Sequence, residues 1–259
     1  MENYQIISNQ VEQFKRLRED VTRVMMMYQF ALNELETKIE ILKEEFQLLH
    51  DYNPIEHTKS RVKAFDSIIG KIQRKGLPFS LESIRNGIKD VAGIRITCSF
   101  ISDIYHIQEM LEKHFDVEIY EAKDYIENPK PNGYRSLHLI AGVPVVMTTG
   151  REMVCVEIQI RTIAMDFWAS LEHKIFYKYD EAVPTHLIHE LKQAADAANV
   201  LDKQMERLHK EITIIKEKQN HDEGDEFTKL ILSQVGQSNL KLPPIIEQEI
   251  SQHLNGNSK

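Results

Sequence analysis

Between residue 11 and about residue 49 the apolar side chains recur at steps of three and four, through Leu17, Val21, Val24, Tyr28, Leu32, Leu35 and Ile39. That is the spacing of one helical face. No glycine or proline interrupts it before Pro54, so the pattern predicts a long core-facing helix, or two in series, with an oligomer seam as the second reading. The period then changes to two. In "VAGIRITCSF" Ile94, Ile96, Cys98 and Phe100 share a face, and in "VCVEIQIRT" Val154, Val156, Ile158 and Ile160 do the same. Both read as half-buried strands, with Arg95 on one open face and Glu157, Gln159 and Arg161 on the other. Weaker strands are expected at 117–122 and 136–146 and a helix at 102–114. A further helix follows Arg161 with Thr162 as its N-cap.

Helical periodicity resumes from about 186 to 218 and then fades into the polar "KQNHDEGDEF" and the helix-stopping "LPP". The segments are therefore an N-terminal helical region at 1–50, an α+β core at 51–180, C-terminal helices at 181–218 and a loosely held polar tail at 219–259. A composition of 42% hydrophobic and 28% charged residues is that of a soluble globule. No apolar run is long enough for a membrane span and no targeting segment is visible, which predicts a cytoplasmic protein. The two cysteines, Cys98 and Cys155, lie in alternating apolar stretches and read as small buried hydrophobes.

A formal charge of -8 argues against a surface that grips nucleic acid broadly. Residues 59 to 75 run the other way, with six basic side chains against the single acid Asp66. On a helix, Lys63, Ser67, Lys71 and Arg74 would fall within about an 80° arc, with Phe65, Ile68, Ile69 and Ile72 opposite. An ordinary solvated basic face explains that arc as well as an anion site does. Asp90, just before the first strand, and Glu157, within the second, could share a divalent cation, because Mg²⁺ takes one or two carboxylates plus phosphate oxygens. The segment "PKPNGYRSLH" adds an Asn-Gly turn followed by Tyr134, Arg135 and His138, a ring able to stack on a base beside groups able to meet phosphate.

Four segments, "RVKAFDSIIGKIQRKG", "IKDVAGIRITCSF", "KDYIENPKPNGYRSLH" and "VEIQIRTIAMDFWASLEHKIFYK", resemble in order and wording the synthetase domain of the RelA/SpoT family. The resemblance is strong from Asn53 to Lys178 and points to the small, single-domain alarmone synthetases, particularly the RelP branch. It implies a nucleotidyltransferase-like mixed sheet flanked by helices. The implied enzyme moves the β,γ-diphosphate of ATP to the 3′-hydroxyl of GTP or GDP, yielding pppGpp or ppGpp and AMP. Carried over, Arg61 and Arg95 would sandwich the adenine, and Lys63, Ser67, Lys71 and Arg74 would hold the ATP phosphates. Asp90 and Glu157 would bind Mg²⁺, with Glu157 also the base. Tyr134 would stack on guanine, while Lys130, Arg135 and His138 steady the acceptor. Gln159, Glu172, His173 and Lys178 would line the same region.

Hydrolysis is not expected, since only an isolated His50-Asp51 pair suggests the hydrolase chemistry of the long members. A homotetramer is implied by the small enzymes. One rival is a nucleotide-sensing or RNA-binding module, since the basic segment and tyrosine would serve single-stranded RNA. Asp90 and Glu157 oppose it, as acids in a phosphate site are costly unless a metal cancels them. A second rival is a nucleotidyltransferase that moves AMP.

Overall fold

The computed structural model describes residues 2–50, 52–114, 116–148, 150–175 and 184–237. In chain order they form α1 (Glu2–Leu49), β1 (Ile55–Val62), α2 (Phe65–Arg74), α3 (Leu81–Gly87), β2 (Ala92–Cys98), α4 (Ile101–His114), β3 (Glu118–Asp124), β4 (Leu137–Met147), β5 (Gly150–Thr162), α5 (Ile163–Ile175) and α6 (Thr185–Gln237). The strands make one mixed sheet in the order β1-β2-β5-β4-β3. β2 and β5 are parallel, and the other neighbours antiparallel. The fold is α+β, as the pattern predicts.

The alternation of β2 and β5 divides the sheet into two faces. Ile94, Ile96, Val156, Ile158 and Ile160 are at most 2% exposed and join residues of α1, α2, α3 and α4 in a single core. The opposite face is polar, and register aligns its residues. One row runs Lys59, Arg95, Gln159, His138 and Lys123 across all five strands; the next runs Arg61, Gly93 and Glu157.

Two elements depart from the sequence expectation. β1 is a strand where the basic run reads as helix, because Lys59 and Arg61 alternate with Thr58 and Ser60 rather than with large apolar residues. Helix α2 therefore starts at Phe65, and Lys63 lies before it on the connection from β1, held by its N–H donating to the Val91 carbonyl at 2.7 Å. The expected burial of Ile68 and Ile72 holds.

The chain divides into two compact units, Met1–Glu206 and Arg207–Lys259. In the second, the described structure is the continuation of α6 to Gln237, past residue 218, where the fading periodicity predicts a tail. Residues 238–259 of that expected tail lie outside the described residues. Cys98 is buried, Cys155 is partly buried, and both are free thiols.

Thr162 caps α5 as its sequence position suggests: its Oγ1 accepts from the Met165 N–H at 3.1 Å and donates to Asp202 at 2.6 Å. Burial pushes Asp202 up to about 6, with the Thr162 hydrogen bond opposing. The folded state thus holds this proton more tightly than the unfolded chain. The residue's contribution to stability falls as pH rises from about 4 to 6 and is level above that. Asp202→Asn, which still accepts from Thr162, should gain on the order of 2 kcal/mol relative to wild type over that interval. Urea unfolding at a series of pH values measures the difference; a difference independent of pH would contradict it.

Candidate active site

A cleft of about 160 Å³ opens over the polar sheet face, lined by Lys59, Ser60, Arg61, Asp90, Gly93, Ile94, Arg95, Glu157 and Gln159. Gly93 forms its floor between Arg61 and Glu157, where register would place a side chain. The fold therefore brings Asp90 and Glu157 into one cavity with three cations.

Asp90 is held from one side. Its Oδ2 accepts from Lys63 Nζ at 2.6 Å and Lys71 Nζ at 2.7 Å, so the strand-to-helix connection and the last turn of α2 both end on one carboxylate. Burial pushes the Asp90 pKa up, but the two lysines outweigh it and hold the group below its ordinary value. Its other oxygen, Oδ1, is buried with no hydrogen-bond partner. Such an atom calls for a missing cation or donor.

Glu157 accepts from Gln159 Nε2 at 2.9 Å and lies 3.5 Å from His138 Nδ1. Burial raises its pKa, the histidine and Gln159 lower it, and the net direction is down. It is a carboxylate at neutral pH and free to take up a proton.

The loop before β4 forms the other wall. Gly133 has φ +88°, and a Cβ there would stand 2.5 Å from the Ala195 Cβ. Glycine is required both by the turn and by this approach to α6. The Asn132 side chain accepts from the Tyr134 N–H at 3.2 Å and reaches Glu172 on α5 at 3.5 Å. Tyr134 is partly buried. Its hydroxyl lies 2.6 Å from His138 Nε2 and accepts from Arg161 Nη2 at 2.6 Å. Lys130 Nζ sits 4.7 Å from the centres of both the Tyr125 and the Tyr134 rings. A base that stacks on Tyr134 must compete with these cations, of which Lys130 is the exposed one.

The remaining expected residues are placed as follows. Arg61 and Arg95 both border the cleft, Arg61 exposed and Arg95 paired with Asp166 at 3.0 Å. Burial, with the charge of Arg161 beside it, pulls Arg95 below its ordinary pKa. Ser67 and Arg74 are exposed on α2, and His173 is exposed in the last turn of α5. Lys178 lies outside the described residues. Arg135 donates to the Gly133 and Ala195 carbonyls and pairs with Asp196 at 3.2 Å, so it fastens the loop to α6.

Two residues that sequence reasoning left without a role organise this wall. Arg161, 4% exposed, donates to Ser136, Asp166, Tyr134 and Gln159. Asp166 takes both Arg161 and Arg95. The signal for Arg161 was its place on the polar face, two and four residues after Gln159 and Glu157.

Two carboxylates and a ring of cations share one sheet face, chemistry of the kind that polyphosphate sites use. Residues 60–182 match the family described as a region found in RelA / SpoT proteins. The GTP pyrophosphokinase YwaC of Bacillus subtilis is 52% identical over 202 residues, spanning 78% of this chain and 96% of that protein. Its namesake YjbM is 38% identical over 190 residues, spanning 73% and 89%. The solved small alarmone synthetase 2 of Bacillus subtilis superposes with a TM-score of 0.68 at 53% identity, covering 74% of this chain and 99% of the other. Small alarmone synthetase 1 of that organism, bound to its product pppGpp, gives 0.70 at 37% identity, covering 75% and 99%. This chain belongs to the RelA/SpoT family and, within it, to the small alarmone synthetases.

Proposed function

We propose that this protein is a GTP diphosphokinase, transferring the β,γ-diphosphate of ATP to the ribose 3′-hydroxyl of GTP or GDP to give (p)ppGpp and AMP. The observation that carries the reading is the convergence of Asp90 and Glu157 in a cleft bordered by Lys59, Arg61 and Arg95, with Lys63 and Lys71 already on Asp90. Relatives named as GTP pyrophosphokinases, which this chain matches over nearly their whole length, and a solved relative bound to pppGpp support it.

The residues fit Mg²⁺. Asp90 Oδ1 has no partner while Oδ2 is taken by lysines, and Glu157 lines the same cleft. Bound there with substrate phosphates, the ion would offset their charge and lower the pKa of the attacking hydroxyl.

Phosphoryl-type transfer asks mainly for alignment and charge compensation. Arg61 and Arg95 bracket the adenine. Lys63 and Lys71 turn from Asp90 toward the donor's phosphates, with Ser67 and Arg74 extending that face of α2. Glu157 accepts the proton of the 3′-hydroxyl as the new P–O bond forms, and His138 and Gln159 keep its carboxylate oriented. Tyr134 stacks on guanine, and Lys130, displaced from the ring, meets the acceptor's phosphates. Glu172 and His173 border the acceptor side, with Glu172 steadying the loop through Asn132. The proposal covers synthesis without hydrolysis.

The enzyme would act in the cytoplasm, where both nucleotides are; no helix among the described residues is long and apolar enough to cross a membrane. A homotetramer is part of the proposal, supported by Leu187, Ile188, Leu201 and Met205, which are 41–52% exposed on α6. Incubation with ATP, GTP and Mg²⁺ followed by nucleotide chromatography tests the reaction: AMP and a guanosine pentaphosphate must appear together. Tyr134→Ala should weaken GTP binding by about 1–3 kcal/mol, the range for one base stacked on a ring. ATP binding should change far less, and Tyr134→Phe, which keeps the ring but loses the hydroxyl's bonds to Arg161 and His138, should weaken GTP binding less than Tyr134→Ala. Equal losses of both nucleotides in titrations would count against stacking.

A further inference from the structure

A second cleft, about 330 Å³ and larger than the catalytic one, lies where α1, α3, β3 and β5 meet. Its lining combines Tyr28 and Met27 from α1, Arg85 from α3, Lys89, Tyr120 from β3, and Glu152 and Cys155 from β5. The two clefts share a wall. Lys89 precedes Asp90, Cys155 stands on the same strand face as Glu157, and the Cys155 thiol lies 3.7 Å from the Lys89 carbonyl.

Tyr28 is only 3% exposed overall and borders the cavity, and its hydroxyl, which keeps some accessible surface, has no hydrogen-bond partner among the described residues. The charges around it do not cancel. Arg85 is paired with Glu152 at 3.5 Å, but Lys89 has no ion pair among the described residues. The rest of the lining is methionine, valine and the Tyr120 ring, with Asn86 and the Cys155 thiol among them. A cavity with an unpaired phenol donor, a surplus cation, and thioether and aromatic side chains on a mixed wall has the make-up of a small-ligand site.

We propose that this cleft binds a small organic anion with a flat apolar body, its carboxylate or phosphate meeting Lys89 and the Tyr28 hydroxyl. The body lies between Met27 and the Tyr120 ring. Occupancy bears on the catalytic cleft through one peptide bond, because Lys89 carries the ligand and Asp90 the lysine pair.

Cys155 reports on the site, since it is partly buried in the cleft wall while Cys98 is fully buried. The rate of Cys155 alkylation by iodoacetamide, followed by peptide mass spectrometry, is measured with phenyl phosphate, with phenylacetate and with neutral benzyl alcohol. By mass action a ligand at about four times its dissociation constant slows the reaction about fivefold. Protection by either anion, with none by the alcohol, is the expected result, and the stronger anion identifies the head group.

Protection should be lost in Tyr28→Phe, which keeps the ring and the packing, and in Lys89→Ala. It should persist in Lys71→Ala, which disables phosphate binding in the catalytic cleft only. Equal effects of anion and alcohol would overturn the proposal, as would protection that survives both pocket variants or disappears with Lys71. The measurement needs no turnover, so its failure leaves the reading of the catalytic cleft untouched.

Discussion

Glu157→Gln is expected to reduce alarmone synthesis by about 10³-fold or more while leaving ATP affinity within a small factor of wild type. A positioned general base alone contributes about 10²–10⁴, and this carboxylate is also one of the two proposed to hold Mg²⁺. The substitution is nearly isosteric. The amide oxygen can still accept from Gln159 Nε2 and the NH2 then faces His138 Nδ1, which accepts in its other tautomer, so the cleft keeps its shape and loses the charge and the proton acceptor. Steady-state turnover alongside an ATP-analogue titration separates the two effects. Substantial residual synthesis would remove Glu157 from both roles; a collapse of ATP binding would make it a structural residue of the donor site.

Arg161→Ala should produce the largest loss of stability of any single change in the site, about 3–5 kcal/mol, the usual range when one partner of a buried ion pair is removed. The guanidinium is 4% exposed and meets Asp166 at 3.1 Å, Tyr134 at 2.6 Å, Gln159 at 2.7 Å and Ser136 at 3.3 Å. Its deletion leaves Asp166 to Arg95 alone and frees the Tyr134 hydroxyl from one of its two partners. Arg161→Lys keeps the charge but cannot form the planar fork. That variant should fold, with the KM for GTP raised more than the KM for ATP, because Tyr134 is the substrate-facing residue that Arg161 holds. Denaturant unfolding and two KM values suffice, and equal changes in both KM values would show that Arg161 acts on the fold as a whole.

How much of this was legible in the chain depended on the kind of contact. Strands β2 and β5 announced themselves because their buried side is isoleucine and valine at every second position, and that same alternation forced Arg95, Glu157 and Gln159 onto one open face. β1 carries no such signal. It is an edge strand whose residues are mostly part-exposed or exposed, and a basic run alternating with Thr and Ser is compatible with a helix until its neighbour is known. Lys63 illustrates the difference: helical phase put it beside Lys71, whereas in the structure the two lysines arrive from different elements and meet on Asp90.

Arg135 was unreadable for the converse reason. Its partners, Ala195 and Asp196, lie about sixty residues further on in α6, and nothing local distinguishes a guanidinium that awaits phosphate from one that ties down a loop. The Arg161 hub depends likewise on the loop, β5 and α5 being assembled together. What the sequence conveyed well was the inventory of chemistry; what it withheld was which cations are spent on protein carboxylates in the absence of nucleotide.

The account stands on transfer of the donor's two outer phosphates as a unit to a guanosine sugar. ATP labelled at its β-phosphate, incubated with the protein, GTP and Mg²⁺, should pass that label quantitatively into the guanosine product and leave AMP unlabelled. Label remaining in released pyrophosphate, with AMP joined to the guanine nucleotide, would contradict it.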